Sequence, residues 1–325
     1  MKTADVSFVI PCYNHEKLIG LAIESALKQS VKPLEVIVVD DGSSDGSVDV
    51  IRRYGEAVIL VSQPNRGRVI ARSEGVRKAR GKWIALLDGD DEAFPDRLEK
   101  QLAAVDTWPE AVIICGQLIA EDRSDGRIAR GGVMKSDYPV PDEVNLSQLF
   151  RHNCIHTSSA MIRTNTTREI LKAWQPLGRE LSEDYGLWLL ITTSGNAVHL
   201  KTPLGIYRML SPDSDSRTLL FQRGAFLSRE NVVCCLREMG RMDRLPGDWK
   251  HILYNEATSL GWMESQHGDP RVSRRWFTRA VAYNPASGAA WGRWLLSTLP
   301  PMVGQMVRKG LSVRRGPDGV DAAAR

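Results

Sequence analysis

The first 90 residues of this 325-residue chain predict an α/β fold built around a parallel sheet. Short apolar segments alternate there with amphipathic segments of helical period, which is the pattern of strands covered by helices on both faces. Polar clusters directly follow three of the apolar segments, and open α/β sheets bind their ligands at the carboxyl ends of strands. After residue 217 the pattern changes to helices that carry five of the nine tryptophans, so a helical extension is expected beyond the sheet.

The alternation gives the elements in chain order. Each expected strand is a continuous apolar run bounded by turn residues, and each expected helix has apolar side chains spaced along one face. The strands are expected at residues 6–10, 36–39, 58–61 and 83–87, with helices between them at residues 16–29, 47–54 and 69–79. Farther along, the pattern favours a helix at about 96–106, a strand at 112–119, a long loop at 121–147, short strands at 158–163, 198–200 and 205–207, and a helix at 181–192.

Composition divides the chain into three parts. Residues 1–217 are expected to form the α/β domain, residues 218–316 the helical extension, and residues 317–325 a disordered tail. Residues 274–285 resemble the second helix of a tetratricopeptide unit. A solenoid needs about three such repeats, so the extension is expected to be a helical appendage that is only partly tetratricopeptide-like.

Charge and cysteine content restrict the class of protein. The chain has 43 basic and 39 acidic residues, which gives no basic excess that would indicate nucleic acid as a partner. Its five cysteines lack metal-site spacing, which favours reduced thiols in a cytosolic setting. The N-terminus has no signal-peptide layout, and no apolar run approaches the roughly 18 residues of a membrane span. A cytoplasmic location is therefore expected.

Three carboxylates form the most informative cluster of the sequence. Asp88, Asp90 and Asp91 follow directly after the fourth predicted strand. Like charges this close push one another toward protonation, and a hard divalent cation relieves that repulsion. Oxygen ligands suit Mg²⁺ and Mn²⁺. The alternative interpretation is an acidic turn that caps the helix after it.

Taken together, several segments resemble the family 2 glycosyltransferases of the GT-A fold. They occur in the family's order and spacing and cover about residues 5–210; the matching segments are residues 6–14, 35–45, 65–67, 71–72, 81–91 and 182–188. The resemblance implies a Rossmann-like mixed sheet that binds a nucleotide-diphosphate sugar. It also implies a metal-dependent transfer of the sugar to an acceptor hydroxyl with inversion at the anomeric carbon, in polysaccharide or glycoconjugate synthesis.

The resemblance assigns residues to the donor. It places a uridine-type base near Pro11, Tyr13 and Asp41, so a UDP-type donor is favoured. An aromatic ring packs on a flat base, and a carboxylate accepts a hydrogen bond from a ring N–H. Arg68 and Arg72 lie four residues apart on one predicted helix face, from which one of them reaches the diphosphate or the nucleotide. The alternative for either is a solvated surface arginine.

The acidic cluster receives metal-binding roles by the same resemblance. Asp90 is implied to ligate Mn²⁺ or Mg²⁺ directly, and Asp91 is a candidate further ligand. Asp88 is implied to contact the ribose or a metal-bound water. Gly89, which has no side chain, is expected to let the backbone approach the donor closely.

The resemblance also implies the residue that carries the chemistry. Asp184 matches the aspartate of the family's Glu-Asp pair, which acts as the catalytic base toward the acceptor hydroxyl. Glu183 is expected to orient its neighbours. The alternative is that residues 182–184 only cap a helix, because acids are favourable in a first helical turn.

The sequence departs from the family at one position that concerns the metal or the diphosphate. Leu210 stands where many members carry a histidine, and Arg208 or Arg217 is the candidate to replace it. His152 and His156 are four residues apart and form a weaker candidate metal pair. The alternative is that His156 and the hydroxyl residues after it border the donor-sugar or acceptor pocket.

Two other functions and one further partner follow from the sequence. A nucleotidyltransferase also uses acidic metal ligands on an α/β sheet, but residues 11–15 are not its Gly-rich basic loop. A degenerate, non-catalytic GT-A scaffold that binds partners is the other alternative. The resemblance implies saccharide, lipid-linked or protein acceptors.

Aromatic and basic residues near the end of the chain predict peripheral membrane contact through the C-terminal helices, with an ordinary packed helix as the alternative. They are Trp291, Trp294, Leu295, Leu296, Arg308, Lys309, Arg314 and Arg315.

Overall fold

The chain forms two compact units, residues 1–246 and residues 247–325. A computed structural model describes residues 3–122, 129–134, 138–173, 183–209, 219–267 and 269–298. The units divide between Pro246 and Gly247, whereas the change in sequence pattern placed the boundary after residue 217. The difference arises because the first helix after residue 217 packs against a helix of the first unit. The tail predicted to be disordered, residues 317–325, lies outside the described residues.

The described elements of the first unit are ten strands and eight α-helices. The strands are β1 (Val6–Cys12), β2 (Glu35–Asp40), β3 (Ile59–Ser62), β4 (Trp83–Leu86), β5 (Glu92–Ala93), β6 (Ile113–Asp122), β7 (Ala129–Val133), β8 (Glu143–Val144), β9 (Met161–Arg163) and β10 (Ala197–Met209). The helices are α1 (Ile19–Leu27), α2 (Ser47–Arg52), α3 (Arg68–Lys78), α4 (Arg97–Thr107), α5 (Leu146–Arg151), α6 (Thr164–Ala173), α7 (Glu183–Ile191) and α8 (Leu219–Glu238).

The strands form one mixed sheet, in the order β3-β2-β1-β4-β9-β6-β10-β5. β1 pairs in parallel with β2 and β4, and β2 pairs in parallel with β3, as the alternating pattern predicted. β9 enters antiparallel between β4 and β6, which makes the sheet mixed. The chain leaves β1 toward β2 on one side and returns through β4 on the other, so the carboxyl ends of β1 and β4 border the switch in strand order where open sheets bind ligands.

Burial explains the central strands. Every residue of β1, β2 and β4 is buried, which accounts for their continuous apolar sequences. The predicted long loop at residues 121–147 is partly wrong, because β7 pairs with β6 and β8 pairs with β10 within it. β10 is one strand where two short ones were expected, since it keeps pairing with β6 through register shifts around Pro203.

The second unit is helical in its described part. Its helices are α9 (Trp249–His267), α10 (Pro270–Tyr283) and α11 (Gly288–Leu296). Asp269 caps α10 by accepting a hydrogen bond from the Arg271 N–H at 2.7 Å, with Pro270 at the first helical position. Trp276 and Phe277 of α10 are buried. Among the described helices of the whole chain, none combines the length and apolarity needed to cross a bilayer.

Candidate active site

The loop after β1 is fixed to the loop after β2. The Asn14 side-chain oxygen accepts a hydrogen bond from the Ser44 N–H at 2.8 Å, and the Asn14 N–H donates to Ser43 Oγ at 3.0 Å. Asn14 has a φ of 55°, in the left-handed region that asparagine tolerates. Tyr13 precedes it and is 46% exposed, so its ring is available at this edge of the sheet.

Asp41 is buried and anchors the segment that enters α3. Its Oδ1 accepts hydrogen bonds from Gln63 Nε2 at 2.7 Å and the Arg66 N–H at 2.9 Å, and its Oδ2 accepts from the Gly67 N–H at 2.8 Å. A carboxylate has about four acceptor sites, and three are occupied by protein groups. The predicted contact with a base therefore has one remaining acceptor site.

The acidic loop, residues 88–91, begins with an ion pair. Asp88 Oδ1 accepts a hydrogen bond from Arg72 Nη2 at 2.8 Å, and the Arg72 side chain is buried. Arg72 is therefore not a solvated surface arginine, whereas Arg68 is exposed at the start of α3. A Cβ at Gly89 would lie 2.8 Å from the Pro11 carbonyl oxygen, so glycine is required here by the neighbouring strand.

Burial and, after it, the neighbouring carboxylates raise the pKa values of Asp90 and Asp91. Burial, and then the negative charge of Asp88, raises the pKa of Asp90, while His15 and Arg68 act in the opposite direction. Burial, followed by the charges of Asp90 and Asp88, raises the pKa of Asp91 well above its usual range. A cation at this loop would relieve both effects.

Asp91 is buried, and each of its oxygens accepts one hydrogen bond from the protein, so its role as a further metal ligand stays a prediction. Oδ1 accepts a hydrogen bond from the Arg208 N–H at 2.9 Å, and Oδ2 accepts from Ser158 Oγ. Within the described ranges, no three histidine, cysteine or acidic side chains are arranged as a metal cage. The carboxylates of the acidic loop fit Mg²⁺ or Mn²⁺, which proteins bind through one or two carboxylates together with phosphate oxygens.

Arg208 braces the acidic loop, and its role as a substitute for the family histidine stays a prediction. The side chain is buried, with Nε donating to Glu121 at 2.9 Å and Nη2 to Glu92 at 2.5 Å. Its Nη1 donates to the Asp90 carbonyl oxygen at 3.2 Å. The guanidinium thus faces carboxylates of the protein. Leu210 and Arg217 lie outside the described residues.

A short 3-10 turn, Thr157–Ser159, joins the acidic loop to Asp184; we refer to it as the hydroxyl turn. Thr157 Oγ1 donates to Asp184 Oδ2 at 2.7 Å. Ser158 Oγ accepts from the Asp88 N–H at 3.0 Å and donates to Asp91. The structure therefore brings the predicted base and the predicted metal loop into one hydrogen-bonded network, although about 90 residues separate them.

Asp184 lies in the first turn of α7, where Oδ1 accepts a hydrogen bond from the Tyr185 N–H at 3.0 Å. Asp184 thus contacts both the first turn of α7 and the hydroxyl turn, and its role as the base stays a prediction. It also lines a small cavity with Arg72 and Ser73, whose other walls are Val69, Val76, Leu86, Leu171 and Leu187. The Glu183 side chain lies outside the described residues, so its orienting role stays a prediction.

The two histidines of the candidate metal pair lie beside different tyrosine rings. His152 stacks on Tyr138 with ring centroids 3.5 Å apart, whereas His156 lies 6.4 Å from the ring of Tyr207. Tyr207 was not identified from the sequence. Burial, with the charges of the acidic loop, raises its pKa to about 12, so it remains protonated beside these carboxylates at neutral pH.

Comparisons with known proteins identify the family of the chain. The sequence model of the family described as Glycosyl transferase family 2 matches residues 7–174. The succinoglycan biosynthesis protein ExoO of Rhizobium meliloti is 39% identical over 126 residues, which are 38% of this chain and 34% of ExoO. The chain thus aligns with only about a third of ExoO. The Escherichia coli UDP-Glc:alpha-D-GlcNAc-diphosphoundecaprenol beta-1,3-glucosyltransferase WfaP is 27% identical over 192 residues, covering 58% of this chain and 71% of WfaP.

A solved structure supports the same fold. The crystal structure of residues 1–349 of S. aureus TarS in complex with UDP-GlcNAc matches 95% of this chain and 92% of that chain, with a TM-score of 0.67. The sequence identity is 17%, so this likeness concerns the fold. The predicted combination of a GT-A mixed sheet and a C-terminal helical region is confirmed.

Proposed function

The chain belongs to glycosyl transferase family 2 and is a glycosyltransferase, and from that membership we propose an inverting, metal-dependent transfer of a sugar from a nucleotide-diphosphate sugar to an acceptor hydroxyl. The observation that carries the proposal is the network in which the hydroxyl turn contacts Asp184 on one side and the acidic loop on the other. The family match favours this function over a nucleotidyltransferase, and donor turnover distinguishes it from a non-catalytic scaffold.

Asp90 would hold the cation, Mn²⁺ or Mg²⁺, directly, with Asp91 as a candidate further ligand and Asp88 toward the ribose or a metal-bound water. When bound, the cation supplies Lewis-acid stabilisation of the charge on the departing diphosphate. Arg68 stands at the N-terminus of α3, where helix N–H groups and a cationic side chain both favour phosphate. The buried Arg72 side chain holds Asp88 in place through the 2.8 Å ion pair between Arg72 Nη2 and Asp88 Oδ1.

Asp184 is the proposed general base. The acceptor hydroxyl oxygen forms a bond to the anomeric carbon as the bond from that carbon to the diphosphate oxygen breaks, and the hydroxyl proton moves to Asp184. Each Asp184 oxygen accepts one hydrogen bond from the protein, from Thr157 or from the Tyr185 N–H. A carboxylate oxygen has about two acceptor sites, so both retain capacity for the acceptor hydroxyl.

A UDP-sugar is the proposed donor, and a saccharide or a lipid-linked saccharide is the proposed acceptor. TarS was crystallised with UDP-GlcNAc, and WfaP is named for a UDP-glucose donor and a diphosphoundecaprenol-linked acceptor. Pro11, Tyr13 and Asp41 at the ends of β1 and β2 are the proposed base-binding groups. A cytoplasmic enzyme in polysaccharide or glycoconjugate synthesis, with peripheral membrane contact through α11, is consistent with these names.

The proposed function is tested by donor hydrolysis. The protein is incubated with Mn²⁺ and UDP-glucose, UDP-GlcNAc, GDP-mannose or dTDP-glucose, and release of the nucleoside diphosphate is measured. We expect turnover of at least one donor, and a loss of about 10²- to 10⁴-fold in Asp184→Asn, because a general base contributes that much. Binding of the nucleoside diphosphate should be retained in this variant.

The control is Asp243→Asn, which removes a carboxylate exposed in a 3-10 turn outside the network. It should turn over the donor as fast as the wild-type protein. Absence of turnover with all four donors, or full turnover in Asp184→Asn, would contradict the proposal.

A further inference from the structure

Two consecutive hydroxyl side chains in the hydroxyl turn form hydrogen bonds to two different carboxylates. Thr157 Oγ1 donates to Asp184 Oδ2 at 2.7 Å, whereas Ser158 Oγ is shared between the Asp88 N–H at 3.0 Å and the Asp91 carboxylate. Both residues are buried. The third hydroxyl, Ser159 Oγ, donates to the His156 carbonyl oxygen at 2.9 Å and contacts neither group.

Two buried side chains of α4 fix the turn to the sheet. Gln101 Nε2 donates to the carbonyl oxygens of Ser159 and Ile114, both at 2.9 Å. Arg97 Nη2 donates to the carbonyl oxygens of Ala160 at 3.0 Å and Leu86 at 2.9 Å. The backbone of the turn is therefore tied to the ends of β4 and β6, and its hydroxyl groups have little freedom to move.

We propose that Thr157 and Ser158 are positioning residues of the transfer reaction: Thr157 orients the carboxylate of Asp184, and Ser158 sets the conformation of the acidic loop that receives the donor diphosphate. The proposal rests on the proposed function. A single rigid turn then fixes the distance between the base and the donor site. Reaction rates are sensitive to that distance, because a misplacement of about 1 Å costs on the order of 10²-fold.

The two residues are expected to affect different kinetic constants. Thr157→Val keeps the side-chain shape but removes the donor to Asp184, so the kcat of donor hydrolysis should fall about tenfold or more while donor Kd stays within about twofold. Thr157→Ser, which keeps the hydroxyl, should restore kcat. Ser158→Ala should weaken donor binding by about ten- to hundredfold, since it removes a hydrogen bond to a charged group and leaves the Asp88 N–H without its partner.

The experiment measures kcat and donor Kd of these variants in the full chain, with the nucleotide sugar that the wild-type protein hydrolyses fastest and with Mn²⁺. Matched controls are Ser159→Ala on the same turn and Thr164→Val. Thr164 is a buried threonine whose Oγ1 donates to the Gly81 carbonyl oxygen at 2.6 Å, away from the network. Both controls should keep wild-type kcat and Kd.

A double-mutant comparison separates positioning from a general structural role. In an Asp184→Asn background, Thr157→Val should cause no further loss of kcat, because it acts through Asp184. An unchanged kcat in Thr157→Val, an equal loss in Thr157→Ser, an additive loss in the double variant, or wild-type donor Kd in Ser158→Ala would overturn the positioning roles. Full kcat in Asp184→Asn alone would instead overturn the proposed function.

Discussion

At the scale of single residues, the carboxylates of the site differ in how many of their acceptor positions the protein already occupies. Asp91 has protein partners on both oxygens, and Asp41 accepts three hydrogen bonds from residues 63–67. Asp88 Oδ1 accepts one hydrogen bond, from Arg72 Nη2 at 2.8 Å. A cluster of aspartates in the sequence indicates ligand binding by carboxylates. The contacts in the folded protein determine how many acceptor positions each aspartate keeps for a ligand.

His199 gives the chain a pH-dependent stability. It is buried in β10, and burial, followed by the nearby positive charge of Lys201, lowers its pKa from the ordinary value of 6.5 to about 4. The unfolded chain takes up a proton near pH 6.5, while the folded chain does so only near pH 4. The contribution of His199 is therefore complete above about pH 6.5 and is lost as the pH falls toward 4, by about 3 kcal/mol.

Urea unfolding at pH 7, 5.5 and 4 measures this effect. The wild-type protein should lose stability over this range more steeply than His199→Leu, which has no imidazole to protonate. His251→Gln, at an exposed position of α9, is the control and should keep the wild-type pH dependence. Equal pH dependence of the wild-type protein and His199→Leu would contradict the prediction.

At the scale of elements, strands with a continuous apolar run could be predicted from the sequence. Very short strands, which are defined only by their hydrogen bonds to a partner strand, could not. The strand expected at residues 83–87 is observed as β4 (Trp83–Leu86), because a continuous apolar run marks it directly. β5 and β8 have two residues each and exist through antiparallel pairing with β10. Nothing in two residues of sequence specifies such a strand, since the partner supplies its hydrogen bonds.

The close packing of α3 on β1 predicts the effect of a substitution at Gly75 on the stability of the protein. A Cβ added at this position would overlap the Val9 side chain of β1, in the fully packed centre of the sheet. Gly75→Ala should therefore destabilise the protein by about 1–3 kcal/mol through overpacking. Within a helix, replacing glycine by alanine normally stabilises a protein by roughly 0.5–1 kcal/mol, so the expected change in the free energy of unfolding has the opposite sign.

Gly186 in α7 is the matched control, because its added Cβ would meet the Ser228 Cβ at an ordinary 3.6 Å. Gly186→Ala should stabilise the protein by about 0.5–1 kcal/mol. Urea unfolding followed by tryptophan fluorescence compares the two variants. Similar effects of the same sign in both would refute the close packing of α3 on β1.

At the scale of the whole molecule, the sequence predicted which loops lie close together but not which hydrogen bonds join Asp184 to the acidic loop. Parallel strands direct their carboxyl ends to one edge, so the loops after β1, β2 and β4 were expected together. Asp184 comes from a helix far along the chain, and its connection to the acidic loop depends on the hydroxyl turn. Consecutive hydroxyl residues before a short apolar strand were a visible signal, but that signal did not specify partners.

The exposed apolar surface of α11 is the basis of the proposed membrane contact. Trp291 is 48% exposed and Leu295 is 60% exposed, and their spacing of one helical turn puts them on one face. An amphipathic helix of this kind binds an interface by burying aromatic and aliphatic side chains at the headgroup boundary. The basic residues 308, 309, 314 and 315 lie outside the described part of the chain.

Flotation with vesicles containing phosphatidylglycerol tests this contact. The wild-type protein should float, and Trp291→Ala combined with Leu295→Ala should lower the partition coefficient by about tenfold or more, because full burial of such a side chain is worth about 1.5–3 kcal/mol. Leu21→Ala combined with Ile59→Ala removes two side chains, each 41% exposed in the first unit, and should float like the wild-type protein. Donor hydrolysis in solution should be unchanged in both double variants. Equal flotation of the wild-type protein and the Trp291–Leu295 variant would mean that α11 does not mediate membrane binding.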